Sequence, residues 1–182
     1  CGTVVAHRQV ADADPGPGTI NPKEPSMSTT VTASPFQSLK ARIAQRTARV
    51  AIVGLGYVGL PLAETFADGG YPVTGFDIDE AKVEKLTRGQ SYIGHITSDR
   101  VAELVRTERF EATSNPEKFD AADAIIICVP TPLTDAREPD LSYIVKTGEM
   151  LRDHLRPGQL VVLESTTYPG TTEDVLRPIL EA

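Results

Sequence analysis

The stretch that decides the fold of this chain covers residues 48–63 and reads ARVAIVGLGYVGLPLA. A short apolar run breaks into glycines, after which apolar residues resume at helical spacing. Gly54 permits a tight turn out of a strand, Gly56 has no side chain to block a pyrophosphate, and Gly59 lets a helix pack close to a sheet. Exposed N–H groups and the helix dipole favour an anion there. The pattern therefore predicts a strand–turn–helix unit that binds a dinucleotide.

An acidic residue at the end of the next predicted strand supports this interpretation. Residues 71–77 read YPVTGFD, so Asp77 stands about 20 residues past the glycines, where a dinucleotide site places a carboxylate. Such a carboxylate binds a ribose 2′-hydroxyl and repels a 2′-phosphate, which favours NAD over NADP. The alternative is that Asp77 only caps the helix that begins near Asp79. We favour the ribose role because Asp77 follows a strand–glycine–helix–strand succession.

Composition limits the classes of protein that this chain can be. Of its 182 residues, 40% are hydrophobic and 24% are charged, which is typical of one globular domain. The net charge is −7 and no run of Lys or Arg is present, so we expect no nucleic-acid partner. The two cysteines, Cys1 and Cys128, do not indicate a disulfide framework. No apolar stretch approaches the ~20 residues of a membrane span, so we expect a cytoplasmic protein without a membrane partner.

The chain divides into a leader and an ordered domain. Residues 1–36 are rich in Pro, Gly, Ser and Thr and show no periodicity, so we predict a disordered leader; whether residues 1–26, ahead of Met27, are native or upstream sequence stays open. Residues 37–182 are predicted to form the dinucleotide-binding domain. Strands are predicted near 49–54, 72–77, 109–112, 123–129 and 159–164. Helices are predicted near 36–46, 57–69, 79–88, 97–107, 140–155 and 171–181. This alternation predicts an α/β fold of the Rossmann type, with a doubly wound and mainly parallel sheet.

Ligands of such sheets bind beyond the carboxyl ends of the strands, and two segments there carry hydroxyl groups. Residues 128–133 (CVPTPL) follow the fourth predicted strand, and the Thr131 hydroxyl is placed to reach a ribose or phosphate. From the pattern alone, a rigid turn with an exposed threonine is slightly favoured. Residues 163–172 (LESTTYPGTT) follow the fifth strand. Its hydroxyls either orient a water or substrate group or belong to ordinary loop chemistry, and the pattern favours neither.

Three other residues are weaker candidates. His95 lies alone in a loop and is left out of the catalytic set, since such residues usually belong to the surface. Cys128 is interpreted as a small hydrophobic residue inside a buried strand, without a basic partner next to it in sequence. Lys82 either reaches a cofactor hydroxyl or is solvated, and solvation is the common case.

Three motifs in the same order resemble those of the nucleotide-sugar (UDP-glucose/UDP-N-acetyl-hexosamine) 6-dehydrogenases. They are residues 54–61 (GLGYVGLP), 128–133 and 163–172, and the resemblance extends from Arg49 to the last residue. The branch that acts on UDP-N-acetyl-hexosamines is the more similar one, because of residues 91–96 (SYIGHI) and 138–142 (EPDLS). Members of this family oxidise the C6 alcohol of the sugar to a carboxylate in two NAD-dependent steps, through a thiohemiacetal and a thioester on a cysteine.

The resemblance implies a role for individual residues. Asp77 and Lys82 become ribose-side contacts, Thr131 becomes a cofactor contact, and Thr166 helps to position the catalytic water. Thr166 is thus the predicted catalytic residue, and no metal is expected. The predicted NAD contacts are Gly54, Gly56, Tyr57, Val58, Gly59, Asp77, Lys82, Pro130, Thr131, Glu164 and Ser165.

The chain also departs from the family pattern. The Lys, Asn, Cys and Asp that perform most of the family's chemistry, and its central helix, belong to segments later than Ala182, and neither cysteine present matches the nucleophile. We therefore expect a cofactor-binding portion that binds NAD without turnover. The missing part would complete the UDP-sugar site and make the whole enzyme a homo-oligomer. Two alternatives stay open: a stand-alone dinucleotide-sensing module, and a hydroxyacid-type dehydrogenase, which would not explain the motif at residues 163–172.

Overall fold

The computed structural model describes residues 2–5 and 34–182. The strands are β1 (Gly2–Val5), β2 (Val50–Val53), β3 (Val73–Phe76), β4 (Phe110–Thr113), β5 (Ala124–Ile127) and β6 (Leu160–Leu163). The helices are α1 (Pro35–Ala44), α2 (Gly59–Asp68), α3 (Glu80–Thr87), α4 (Ser98–Arg106), α5 (Ser142–Arg152) and α6 (Arg177–Leu180). A 3₁₀-helix covers Pro116–Ala121, and a π-helix over Thr171–Leu176 leads into α6. None of the helices in this described part is long and apolar enough to cross a membrane.

The strands form one sheet in the order β1-β6-β5-β2-β3-β4. All neighbours from β6 to β4 are parallel, whereas β1 runs antiparallel to β6. Val50 of β2 pairs with Val73 on one side and with Ala124 on the other. The chain first builds the sheet outward through β3 and β4, then returns to the other side of β2 with β5. The boundary between β2 and β5 is therefore the topological switch point, and the predicted doubly wound sheet is confirmed.

Helices cover both faces of the sheet, and a separate apolar core lies under each layer. The core of one face includes Ile52 and Leu60, and the core of the other includes Ile127 and Leu151, all fully buried. Every residue of β2 and β5 is buried, as expected of central parallel strands. The five strands predicted from residue 49 onward correspond to β2–β6, although β4 is buried only at Phe110 and β6 is buried at alternate residues.

The predicted disordered leader is wrong at its two ends. Gly2–Val5 form β1, which pairs with β6 from Gly2–Leu163 to Val5–Leu160. Helix α1 begins at Pro35, inside the predicted leader, and the Ser34 hydroxyl caps it by accepting a bond from Gln37 N. Proline suits this first position because its missing N–H would have no helical partner. Strand β1 pairs with an edge more than a hundred residues away, which local periodicity does not reveal. The rest of the predicted leader, residue 1 and residues 6–33, lies outside the described residues.

Candidate functional site

The glycine-rich turn between β2 and α2 has the geometry that its three glycines require. Gly54 has φ +91°, and a Cβ atom there would lie 2.7 Å from the carbonyl oxygen of Cys128. A Cβ on Gly59 would lie 1.8 Å from the Gly54 carbonyl oxygen, so only glycine lets α2 begin this close to β2. A Cβ on Gly56 would meet nothing within 4 Å. Gly56 therefore leaves open space above the turn, whereas the other two glycines serve close packing.

The first turn of α2 presents unused hydrogen-bond donors. Its N-cap residue, Val58, provides no side-chain cap, and the first turn holds no acidic residue. Within residues 34–182 the N–H groups of Gly56, Tyr57 and Val58 have no protein acceptor. These donors add to the positive end of the helix dipole. The start of α2 is therefore suited to an anionic group such as a phosphate.

Asp77 follows β3 directly and is only 6% exposed. Its Oδ2 accepts a 3.0 Å bond from Leu55 N, in the glycine-rich turn, and its Oδ1 accepts a 3.0 Å bond from Asp79 N. The Lys82 ammonium lies 3.4 Å from Oδ2. The capping role considered for Asp77 belongs to Asp79, whose Oδ1 accepts from Ala81 N and Lys82 N. The Asp77 carboxylate thus points at the turn instead of capping α3.

The loops that follow β5 and β6 are tied together by their hydroxyl groups. Thr131 Oγ1 donates a 2.6 Å bond to the Thr166 carbonyl, and Ser165 Oγ donates a 2.8 Å bond to the Val129 carbonyl. Both donors are therefore occupied within the protein, although a hydroxyl oxygen keeps its acceptor capacity. These reciprocal bonds hold the two loops as one wall at the carboxyl edge of the sheet.

The predicted residues meet in one cleft of about 630 Å³ at the carboxyl ends of the strands. Every predicted site residue lines this cleft except Gly59, which is buried beneath it against Gly54. The cleft spans the boundary between β2 and β5, where α/β sheets of this topology bind their ligands. The structure therefore brings the predicted segments together at this edge.

Part of the cleft wall was missed. Ile78, just past Asp77, lines it with 77% exposure, and one face of α5 contributes Tyr143, Lys146, Thr147 and Met150. The α5 positions recur at helical spacing and so share one side of the helix. That spacing was a usable signal, but nothing in the sequence shows which side of α5 faces a ligand.

Cys128 differs from its predicted place inside a buried strand. Strand β5 ends at Ile127, and Cys128 is half-buried and lines the cleft. The ladder stops here because the neighbouring strand turns away at Gly54, after Cys128 N has bonded to Val53 O at 2.8 Å. Burial, aided by the negative charge of Glu164, raises the pKa of the Cys128 thiol to about 11. The thiol is therefore protonated near neutral pH and a poor nucleophile, which agrees with the predicted inert role.

Two residues of the segment 89–97 (the 89–97 segment) contact the glycine-rich turn. The Tyr92 hydroxyl donates a 2.6 Å bond to the Leu55 carbonyl. The His95 ring stacks on Tyr57 with 6.2 Å between centroids. His95 was set aside as a loop residue, and the structure shows that it contacts the turn.

Known proteins of one family are similar to this chain. The model of the UDP-glucose/GDP-mannose dehydrogenase family, NAD binding domain, matches residues 48–182. The chain belongs to this family. It is 39% identical over 133 residues to the UDP-N-acetyl-D-glucosamine 6-dehydrogenase of Pseudomonas aeruginosa, covering 73% of this chain and 31% of that protein. It is 41% identical over 132 residues to Protein CapL of Staphylococcus aureus, covering 72% of this chain and 30% of that protein.

Solved structures agree with the family assignment. The UDP-D-ManNAc dehydrogenase of Pyrococcus horikoshii superposes with a TM-score of 0.68 at 36% identity, covering 74% of this chain and 33% of that one. A ternary complex of the GDP-mannose dehydrogenase of Pseudomonas aeruginosa gives a TM-score of 0.69 at 30% identity, covering 73% of this chain and 32% of that one. The chain thus spans about 30% of the length of the curated relatives that it matches.

The residues present fit the cofactor that the family name implies. NAD joins a diphosphate to a ribose with free hydroxyls, and the cleft offers a chemical partner for each. Open space above Gly56 and the unused donors at the start of α2 suit the diphosphate. The buried Asp77 carboxylate lies beside them and suits ribose hydroxyls. The chain is therefore an NAD-binding domain by family, and its cleft has the required donors and acceptors.

Proposed function

We propose that this chain is the NAD-binding part of a UDP-sugar 6-dehydrogenase, which oxidises the C6 alcohol of the sugar to a carboxylate with two NAD. One observation carries the proposal: the turn at Leu55 joins two groups that a dinucleotide needs. The Leu55 N–H donates to the Asp77 carboxylate, and the start of α2, directly after the turn, has unused N–H donors. One short turn thus holds an anion site and a carboxylate side by side. The named relatives, among them UDP-N-acetyl-D-glucosamine and UDP-N-acetyl-D-mannosamine dehydrogenases, support the substrate class.

At the ribose end of the cleft, the Asp77 carboxylate would accept hydrogen bonds from the ribose hydroxyls, with the Lys82 ammonium beside it. A carboxylate offers about four acceptor positions, and three are used by Leu55 N, Asp79 N and the Lys82 ammonium. The lysine bond is long at 3.4 Å and its side chain is 37% exposed, so it can move aside for a ribose hydroxyl. A 2′-phosphate would bring a second negative charge next to Asp77, which favours NAD over NADP.

At the other end of the cleft, the wall formed by the loops after β5 and β6 positions the reacting groups. When bound there, NAD would supply the acceptor for the hydride that leaves the sugar. Thr131 holds the backbone of Thr166 in place, so that the Thr166 side chain can orient the water needed for the acid product. Pro130, Glu164 and Ser165 belong to the same wall. Three predictions are kept: another segment completes the UDP-sugar site, the whole enzyme is a homo-oligomer, and its location is cytoplasmic.

Calorimetric titration of the 182-residue chain tests the binding proposal. We expect NAD to bind at least about tenfold more tightly than NADP, because of the charge of Asp77. Gly56→Ala should weaken NAD binding, because the added methyl group occupies the open space above the turn. Gly94→Ala is the matched control, since a Cβ there also meets nothing within 4 Å but lies outside the cleft. Equal affinity for NAD and NADP would contradict the proposal.

The chain alone should not produce NADH from UDP-N-acetylglucosamine and NAD. The family chemistry described above uses a cysteine nucleophile, and the Cys128 thiol has a pKa of about 11. NADH formation by the 182-residue chain, measured by absorbance, would overturn the assignment of a binding role to this part of the enzyme.

A further inference from the structure

The peptide groups on both sides of Leu55 are held by side chains from two other parts of the chain. Leu55 N donates to Asp77 Oδ2 at 3.0 Å, and the Leu55 carbonyl accepts from the Tyr92 hydroxyl at 2.6 Å. Leu55 itself is fully buried. The residue between Gly54 and Gly56 is thus fixed at its side chain, its N–H and its carbonyl, although each flanking glycine is conformationally free.

The Tyr92 hydroxyl comes from a firmly anchored segment. Ile93 and Ile96 of the 89–97 segment are buried in the core beside α2, and Tyr92 is half-buried against the same core. The Ser91 hydroxyl bonds to both the N–H and the carbonyl of Ile93. The segment is anchored on both sides of Tyr92. The bond from the Tyr92 hydroxyl therefore holds the Leu55 carbonyl in a fixed position relative to the core.

The direction of the Leu55 carbonyl determines the direction of the next N–H. A trans peptide is planar, and its C=O and N–H point in opposite directions. The bond from Tyr92 to the Leu55 carbonyl therefore turns the Gly56 N–H away from Tyr92. Within residues 34–182 this N–H has no protein acceptor, and Gly56 lines the cleft. Without the tyrosine bond, the peptide between Leu55 and Gly56 would be free to rotate, and this donor would lose its fixed direction.

The environment of Tyr92 keeps its hydroxyl protonated, and therefore a donor, at neutral pH. Burial, followed by the negative charges of Asp77 and Asp79, raises the pKa of Tyr92 well above its ordinary value. A phenol in this position stays protonated, which the bond to a carbonyl oxygen requires.

We propose that Tyr92 is a positioning residue for dinucleotide binding: through the Leu55 carbonyl it fixes the Gly56 N–H in the direction that receives the pyrophosphate. This inference rests on the proposed function, since it names a further residue of the same NAD site. Preorganisation of this kind increases affinity because the ordering cost is met before the ligand binds.

The test compares two tyrosines that each donate to a backbone carbonyl. Tyr92→Phe removes only the hydroxyl at the turn, and Tyr71→Phe removes the hydroxyl that donates to the Ile43 carbonyl at 3.0 Å, away from the cleft. We expect Tyr92→Phe to raise the Kd of NAD and of ADP-ribose about tenfold, the effect of one well-placed hydrogen bond. Adenosine, which has no pyrophosphate, should lose less than about twofold, and Tyr71→Phe should leave all three Kd values unchanged.

Two further measurements separate positioning from general stability. Urea unfolding of both variants gives the loss of stability, and an amide NMR spectrum follows the Gly56 N–H directly. We expect the Gly56 signal to shift or broaden in Tyr92→Phe and not in Tyr71→Phe, even without ligand. Equal weakening of adenosine and NAD, or an unchanged Kd for NAD, would overturn the role of Tyr92. Failure of the unaltered chain to bind NAD would instead refute the proposed function.

Discussion

Two buried aspartates lie at opposite ends of the parallel strands. Asp77 follows β3 at the carboxyl edge and is 6% exposed, and Asp123 precedes β5 at the amino edge and is 2% exposed. Each carboxylate accepts a bond from the backbone of β2 or its flanks: Leu55 N binds Asp77 at 3.0 Å, and Arg49 N binds Asp123 at 2.9 Å. By burial, and by this contact with the backbone next to β2, the two acids are nearly equivalent.

Their remaining partners differ. Asp123 Oδ1 also receives the guanidinium groups of Arg42 at 2.7 Å and Arg156 at 2.8 Å, so protein cations surround its charge. Asp77 receives the ammonium of Lys82 at 3.4 Å and lines the open cleft. Burial of an acid therefore does not by itself indicate a binding site. Each carboxylate has three contacts within the protein, and what distinguishes the acid proposed to bind a ligand is that it borders the cleft and contacts a single cation.

The largest expected effect is at the structural acid. Asp123→Ala should lower the free energy of unfolding by about 3 kcal/mol, because it leaves two arginines and the Arg49 N–H without their common acceptor. Urea unfolding measures this loss, and NAD titration of the folded variant should give an unchanged Kd. A fall in NAD affinity as large as that of an Asp77 variant would break the distinction between the two acids.

The reciprocal change at the other edge should act on binding. Asp77→Asn should weaken NAD binding by about 1–3 kcal/mol, which is about 5-fold to 150-fold in Kd, because a charged acceptor for the ribose is lost. NADP binding should weaken less, since the repulsion of its 2′-phosphate is lost at the same time. Calorimetry with both nucleotides measures the difference, and Asp123→Asn is the control. Equal losses for NAD and NADP would mean that Asp77 does not contact the ribose.

The smallest effect concerns a group that only borders the carboxyl-edge cleft. With a pKa of about 11, the Cys128 thiol is ionised to about one part in a thousand at pH 8. Alkylation by iodoacetamide in a Cys1→Ser chain should therefore be slow, rise about tenfold for each pH unit up to that pKa, and slow further when NAD is added. Mass spectrometry follows the modification. Rapid alkylation at pH 7 would show that the pKa of the thiol is not raised, and a lack of protection by NAD would show that Cys128 does not border an NAD cleft.

Much of the fold was predictable because its signals are local. The apolar runs at residues 123–129 and 159–164 predicted buried parallel strands, and they correspond to β5 and β6. Strand β1 was not predictable in this way, since Gly2–Val5 are a strand only through pairing with the distant β6. The α5 wall of the cleft was missed for a related reason: periodicity shows that a helix has faces, but the packing of the sheet decides which face borders a ligand.

The amino-acid sequence alone determined the strand–turn–helix unit at Gly54, Gly56 and Gly59 and the acid that follows the next strand. These features depend on backbone freedom and on hydrophobic periodicity, which act between residues close in sequence. Only the tertiary structure decided that Asp77, and not Asp123, borders the cleft, and that Tyr92 reaches the Leu55 carbonyl. Those facts depend on strand order and on atoms that lie far apart along the chain, where the folded geometry sets each distance.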